Sequence, residues 1–386
     1  MAQFMDFSKA KYTAIISDLH LCEAEPVHPK YPLWKKFKTR QFFFDTVYAD
    51  FLKHIQDKAN GESVELVLNG DIFDFDSVLK LPENPTFRIS NLETERGLYP
   101  RPEKSKFKIE TILNDHSEFV LATRQFILNG NRVVFIIGNH DLELHFPEVQ
   151  EEILSALNLD DEFKKNVRIV DWFYISNQDT LIEHGNQYDP YCVCEDPINP
   201  FTQGYNYKTI RLPFGNLACR YLMNGMGFFN PHVDTNYIMS LQAYIRFFLK
   251  YMIRAQPALV LTWLYGSILT LWHSLKDRLD KPVRDPLKIE DRVNLIATRA
   301  NAEPRMVREL KELFAEPSSA NPFLLAKELW LDRAFLIFIS FFVIAQFMLM
   351  IKQIYDISVY WAFIPLFILI PFFLFYSKSV VSMVSS

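Results

Sequence analysis

The chain has 386 residues, 49% of them hydrophobic and 15% aromatic, with 35 phenylalanines and a net charge of −5. That length allows one large domain or two ordinary ones. The mild negative charge argues against a broad nucleic-acid footprint, so no nucleic-acid partner is expected, and the phenylalanine content points to a membrane-facing part. The four cysteines are Cys22, Cys192, Cys194 and Cys219. Few cysteines, and an N-terminus without an apolar core behind a basic start, argue for a reducing, cytoplasmic compartment. Cys192 and Cys194 form a lone C-x-C, two ligands short of the four that structural zinc takes.

In chain order, four short apolar runs read as buried strands: "YTAII" ending at Ile16, "VELVL" at Leu68, "RVVFII" at Ile137 and "DTLI" at Ile182. Helical patterns separate the first three, as in "FDTVYADFLKHIQDKA" and "HSEFVLATRQFILNG". That alternation is the signature of an α/β domain. Pro-rich stretches from Leu81 and from Tyr188 read as long loops, which in compact domains tend to carry function or to move. From Asn236 the pattern is helical, with Arg246, Lys250 and Arg254 four apart on one basic stripe. A mixed-charge helical pattern covers Lys276 to Phe314. Two runs, Ala334 to Ile351 and Ser358 to Tyr376, each approach the roughly 20 apolar residues that a spanning helix needs. The short connector makes them a transmembrane hairpin. The alternative, two buried helices of a soluble core, fits poorly with Phe, Ile and Leu on every face. The domains are therefore placed at 1–235 (catalytic), 236–333 (helical, membrane-associated), 334–376 (hairpin) and 377–386 (tail).

Each strand ends in a polar motif. Ser17-Asp18-Leu19-His20 follows Ile16, and Asn69-Gly70-Asp71-Ile72-Phe73-Asp74 follows Leu68. Gly138-Asn139-His140-Asp141 follows Ile137, and Glu183-His184-Gly185-Asn186 follows Ile182. Ligands of open α/β sheets bind beyond the carboxyl ends of the strands, so Asp18, His20, Asp71, Asn139, His140 and His184 are expected to converge. Carboxylate, imidazole and amide oxygen together suit Mn²⁺, Fe or Zn²⁺ better than Ca²⁺. Each motif alone is weak; four in order at strand ends are hard to produce by chance.

The ordered set resembles the calcineurin-like metallophosphoesterase family, whose pattern is D-x-H, G-D-x-x-D, G-N-H-[DE], a further His-Gly and a final G-H-x-H. The resemblance covers roughly residues 12 to 190. It implies a four-layer α/β/β/α sandwich and two divalent metal ions, with Mn²⁺ favoured and Fe or Zn²⁺ as alternatives. By the same resemblance, Asp18 and His20 hold the first metal, Asp71 bridges, and Asn139 and His184 hold the second. His140 faces the substrate phosphate and Asp74 orients it, while Asp141 reads only as a helix cap. The implied reaction is in-line attack by a metal-bridging hydroxide on a phosphate ester or diphosphate.

The final G-H-x-H is not found. His232 and His273 are the only histidines after His184, and both read as structural. Either the motif lies beyond Ser386, or His145, His116 or Asp189 substitutes, or the domain is a degenerate membrane scaffold. The segment "EHGNQYDPYCV" is loosely similar to the UDP-2,3-diacylglucosamine pyrophosphatase branch, which typically carries G-N-R-D where this chain has Gly138-Asn139-His140-Asp141. A phosphorylated lipid or nucleotide-lipid is the expected substrate and membrane lipid the expected partner, with a soluble phosphoprotein or nucleotide as the alternative. Lys327 and Arg333 beside the first span place the catalytic domain on the cytoplasmic side of a multi-pass protein.

Overall fold

Short runs of Val, Ile, Leu and Phe separated by amphipathic helices pair in parallel. The computed structural model describes residues 9–30, 34–204, 207–227, 258–279 and 286–355, with a few positions between 242 and 254. In it, β1 (Tyr12–Ile16), β2 (Val64–Asn69), β3 (Arg132–Ile136) and β4 (Val167–Val170) form one parallel sheet in the order β1-β2-β3-β4. Ile16 stands opposite Leu68, Asn69 opposite Ile136 and Ile136 opposite Val170. The carboxyl ends are therefore level along one edge.

Right-handed crossovers that step always in the same direction leave their helices on one face. That face is covered by α1 (Asp45–Ala59), α2 (Asn91–Arg96), α3 (Pro102–Asp115), α4 (Ser117–Leu128) and α5 (Pro147–Leu157). Leu66, Leu68, Val133 and Phe135 of the strands pack there with Leu52, Ile112, Phe126 and Ile153. The alternate residues, Val67, Val134, Ile136 and Val170, point the other way and meet Tyr174 and Ile182. Those two belong to an antiparallel pair, β5 (Phe173–Ser176) and β6 (Thr180–Glu183). On the far side of the pair, Phe173 packs with Val293, Ile296 and Val307 of the helices Pro286–Arg299 and Pro304–Lys311. The order of layers is helices, parallel sheet, β-hairpin, helices.

The expected strand "DTLI" is present, but antiparallel to its neighbour. It is β6, in a separate layer, and the fourth parallel strand is the "VRIV" of β4. Four residues interrupted by an arginine carry too little apolar signal to be noticed; Arg168 is buried by hydrogen bonds to Arg299 O and Asn301. The loop expected from Leu81 contains α2, started by a capping box between Ser90 and Glu93. A third pair, β7 (Phe201–Gly204) and β8 (Tyr207–Ile210), leads into α6 (Phe214–Ala218) and a π-helical turn, Cys219–Met223. Then come α7 (Leu259–Leu279), α8 (Pro286–Arg299) and α9 (Pro304–Lys311).

The chain divides into two compact units, residues 1–322 and 323–386. The second holds α10 (Leu331–Tyr355), of which Leu331–Ile354 is long and apolar enough to cross a membrane, with a mean hydropathy of 2.6. Among the described residues it is the one helix of that kind, and it supports membrane association weakly. The expected second span, 358–376, lies outside the described residues, so the structure supports neither a hairpin nor an orientation.

Candidate metal centre

The D-L-H and G-D-I-F-D loops continue the pairing of β1 with β2 beyond the strands. Asp18 N donates to Gly70 O, His20 N to Asp71 O, Leu21 N to Ile72 O and Asp74 N to Leu21 O. This zipper holds Asp18, His20 and Asp71 with positive φ of 57°, 45° and 53°. Such left-handed conformations cost on the order of 1–3 kcal/mol each for non-glycine residues and persist where surroundings over-determine them. The turn aims all three side chains over the sheet edge.

The loop after β3 is bound to the same place. Asp71 Oδ1 accepts from His140 N at 2.8 Å, and Phe75 N donates to His140 O. Asp141 accepts from Ile72 N at 2.9 Å and from Gly138 N at 2.5 Å. It therefore does not cap a helix through its side chain; it clamps two motif loops together, which corrects the sequence reading. Although β6 lies in another layer, its end reaches the site: Asn69 Nδ2 donates to Glu183 O and His184 Nδ1 meets Asn69 O at 2.9 Å. Gly70 and Gly138 are obligatory here. A Cβ at the first would collide with the His184 ring, and one at the second with the Asp71 carboxylate and amide.

Two clusters of ligand atoms result, each within 4.8 Å: Asp18, Asp71 and His184, and His20, Asp74 and His140. They adjoin, since Asp18 Oδ1 lies 3.8 Å from His20 Nε2 and the rings of His20 and His140 are 5.1 Å apart. Asp71 Oδ2 is 3.2 Å from His184 Nε2, and His140 Nδ1 is 3.4 Å from Asp74 Oδ1. Asn139, also buried, adjoins through Asn216, whose amide donates to Asn139 O at 2.8 Å. All seven expected residues thus lie at the carboxyl edge of the sheet, and His20 stands between Asp18, 3.8 Å away, and the pair Asp74 and His140.

Sequence reasoning missed Asp76. Its carboxylate is buried, 3.7 Å from His140 Nδ1, and accepts from Asn216 Nδ2 at 2.6 Å. Burial pushes Asp76 up to about 6, with Asp74 adding to the rise. The D-x-D spacing in "GDIFDFD" was the available signal. Asn216 carried none.

The electrostatics of the site are dominated by its carboxylates. Burial alone would lower His140, but Asp71, Asp74 and Asp76 outweigh it and push it up to about 10. Burial likewise opposes the rise at His184, which Asp71 and Asp141 push up to about 9. Burial would raise Asp71, yet His140, His184 and His20 hold it well below the usual carboxylate range.

The candidate substitutes for the missing motif are occupied elsewhere. His116 is fixed at both ring nitrogens, by Asp45 at 2.9 Å and by Cys22 O at 2.9 Å. His145 lies on Asp171 at 3.4 Å, and Asp189 accepts from Tyr191 N at 2.8 Å. His273 stacks on Tyr221, and His232 is outside the described residues. Burial pushes Cys192 and Cys194 up to about 12, and neither joins a ligand cluster among the described residues. The donor set is carboxylate oxygen and imidazole nitrogen. It fits borderline divalent cations such as Mn²⁺, Fe²⁺ or Zn²⁺.

A family model described as calcineurin-like phosphoesterase matches residues 12–211, just over half of the 386 residues. No curated protein and no solved structure matches the chain. With the motif loops, the level strand ends and the paired ligand clusters in place, the chain belongs to the calcineurin-like phosphoesterase family and carries a metal-dependent phosphoesterase domain.

Proposed function

We propose that the chain is a dimetal phosphoesterase, membrane-anchored through α10, that hydrolyses the phosphate ester or diphosphate of a lipid. The observation that carries the dimetal reading is that Asp18, His20, Asp71 and His184 stand together at the sheet edge, Asp18 Oδ1 3.8 Å from His20 Nε2 and Asp71 Oδ2 3.2 Å from His184 Nε2. In this proposal Asp18, His20, Asp71, Asn139 and His184 hold two divalent ions, Mn²⁺ first among them. Bound, the ions supply Lewis acidity and a water whose pKa falls to about 7. The protein's own share falls to His140: Asp74 and Asp76 beside Nδ1 fix the ring and favour its protonated form, so that it can donate to the leaving oxygen.

Support for a lipid substrate comes from a cavity of about 220 Å³ beside His20 and Asp74. Phe37, Phe42, Phe43, Phe44 and His116 line it as well, and among the described residues no Lys or Arg does. A cavity of about 150 Å³ holds benzene, so this one accepts a ring or a short stretch of chain. A wall without cations favours an apolar alcohol over a nucleoside phosphate. The apolar α10 would keep such a site near headgroups. The alternative is turnover of soluble phosphoesters, with α10 as a tether.

The test is metal content and Mn²⁺-dependent hydrolysis of a lipid phosphate and of bis-p-nitrophenyl phosphate, on wild type and Asp71→Ala. About two ions per chain, and at least a hundredfold loss of kcat in the variant, are expected. Hydrolysis that survives Asp71→Ala would sink the reading. Equal kcat/KM for lipid and soluble esters would favour the tether.

A further inference from the structure

A second pocket, sharing no lining residue with the metal clusters, holds an electrostatic imbalance. Its volume is about 80 Å³, and its walls include Tyr99, Arg101, Arg220, Tyr221, His273 and Lys276, with no Asp or Glu. Since a water needs only about 10–15 Å³, the space takes one tetrahedral group. Arg220 comes from the π-helical turn after α6 and is 2% exposed. Its guanidinium lies 5.1 Å from the centre of the Tyr99 ring and 5.7 Å from that of Tyr221. It donates to Gly97 O, while its Nε is buried with no acceptor. Among the described residues no carboxylate pairs with it. The acids of the neighbourhood are committed: Glu93 to Lys104, Ser90 and Tyr99, and Glu143 to Lys108. Lys276, one turn after His273 on α7, is exposed at the mouth, and no ion pair is formed by it among the described residues. A buried guanidinium without a counter-ion is costly, and natural proteins pair such charges.

We propose that this pocket binds a phosphoryl oxyanion, with Arg220 as its buried anchor and Lys276 closing the outer side. A guanidinium fork matches two oxygens of a phosphate. Three cationic side chains around one small space suit a dianion better than a carboxylate. Free phosphate and the phosphate of a lipid headgroup offer the same chemistry. The proposal does not depend on turnover at the metal centre.

The test uses the full chain in detergent, stripped with EDTA so that the metal centre cannot take up the anion. Titration calorimetry with inorganic phosphate is expected to give one site per chain. Lys276→Gln should weaken it at least threefold and Arg220→Met at least thirtyfold. The thermal midpoint should rise with phosphate in wild type and stay flat in Arg220→Met, a difference that a purely structural arginine would not produce. Lys276→Gln, at an exposed position, keeps the test decisive should Arg220→Met fail to fold. Absence of saturable binding in the wild type, or equal affinity in wild type and Lys276→Gln, overturns the proposal. Dihexanoyl phosphatidic acid then assigns the source: at least tenfold tighter binding than phosphate means a headgroup, and equal affinity means the free ion.

Discussion

Gly138 shows how little room the metal centre leaves. It abuts both the carboxylate and the amide of Asp71, so Gly138→Ala must push Asp71 aside. The expected outcome is a metal content below half that of wild type by mass spectrometry, in protein whose far-ultraviolet circular dichroism is unchanged. Asp141 acts at one remove. Asp141→Asn turns one acceptor oxygen toward a backbone N–H into a donor, at a cost of about 1–3 kcal/mol. Thermal unfolding should show that loss, and kcat should fall at least tenfold as the two loops part. His273 sets a pH response remote from the metals. Burial, with Lys276 and Arg220 nearby, lowers it from 6.5 to about 4. Between those values the unfolded chain binds the extra proton, so stability is full above about 6.5 and declines as pH falls toward 4. The loss at pH 4 is on the order of 1–2 kcal/mol, discounted for the ring's partial contact with solvent. Denaturant midpoints of wild type and His273→Phe should therefore converge above pH 7 and separate below 6.

At the scale of elements, α8 and α9 belong to the sandwich. Ile296 on α8 is 2% exposed and packs beneath the β5–β6 pair with Phe173 and Val307. Ile296→Ala is expected to cost about 2–5 kcal/mol, read as a shift of the urea midpoint with the slope unchanged. The β5–β6 pair also explains how His184 reaches the centre. Glu65, buried in β2, accepts from Tyr174 and Ser176 of β5, and Asn69 holds Glu183 of β6. A register shift in either strand would turn His184 away, since alternate residues face opposite sides.

For the whole molecule, the division after Pro322 separates the sandwich from the apolar α10. Residues 1–322 alone are expected to fold and to hydrolyse bis-p-nitrophenyl phosphate within threefold of the full chain. Gel filtration without detergent, beside the same assay, checks this. Aggregation or loss of activity would show that the second unit contributes to the fold of the first.

The amino-acid sequence by itself determined the α/β alternation, the four motifs and their order at the ends of apolar runs. From these follow the seven residues at the sheet edge and the family. Such features are local, because periodicity reports which face of a strand is buried and a motif reports which atoms a turn presents. Only the tertiary structure decided which groups meet. It set β6 antiparallel in its own layer, made a strand of "VRIV", and placed His20 with Asp74 and His140. It also brought Asn216 to Asp76 across 140 residues and left Arg220 buried without an acid among the described residues. Those outcomes depend on contacts between distant segments, whose cost and benefit are not written in any one stretch of chain.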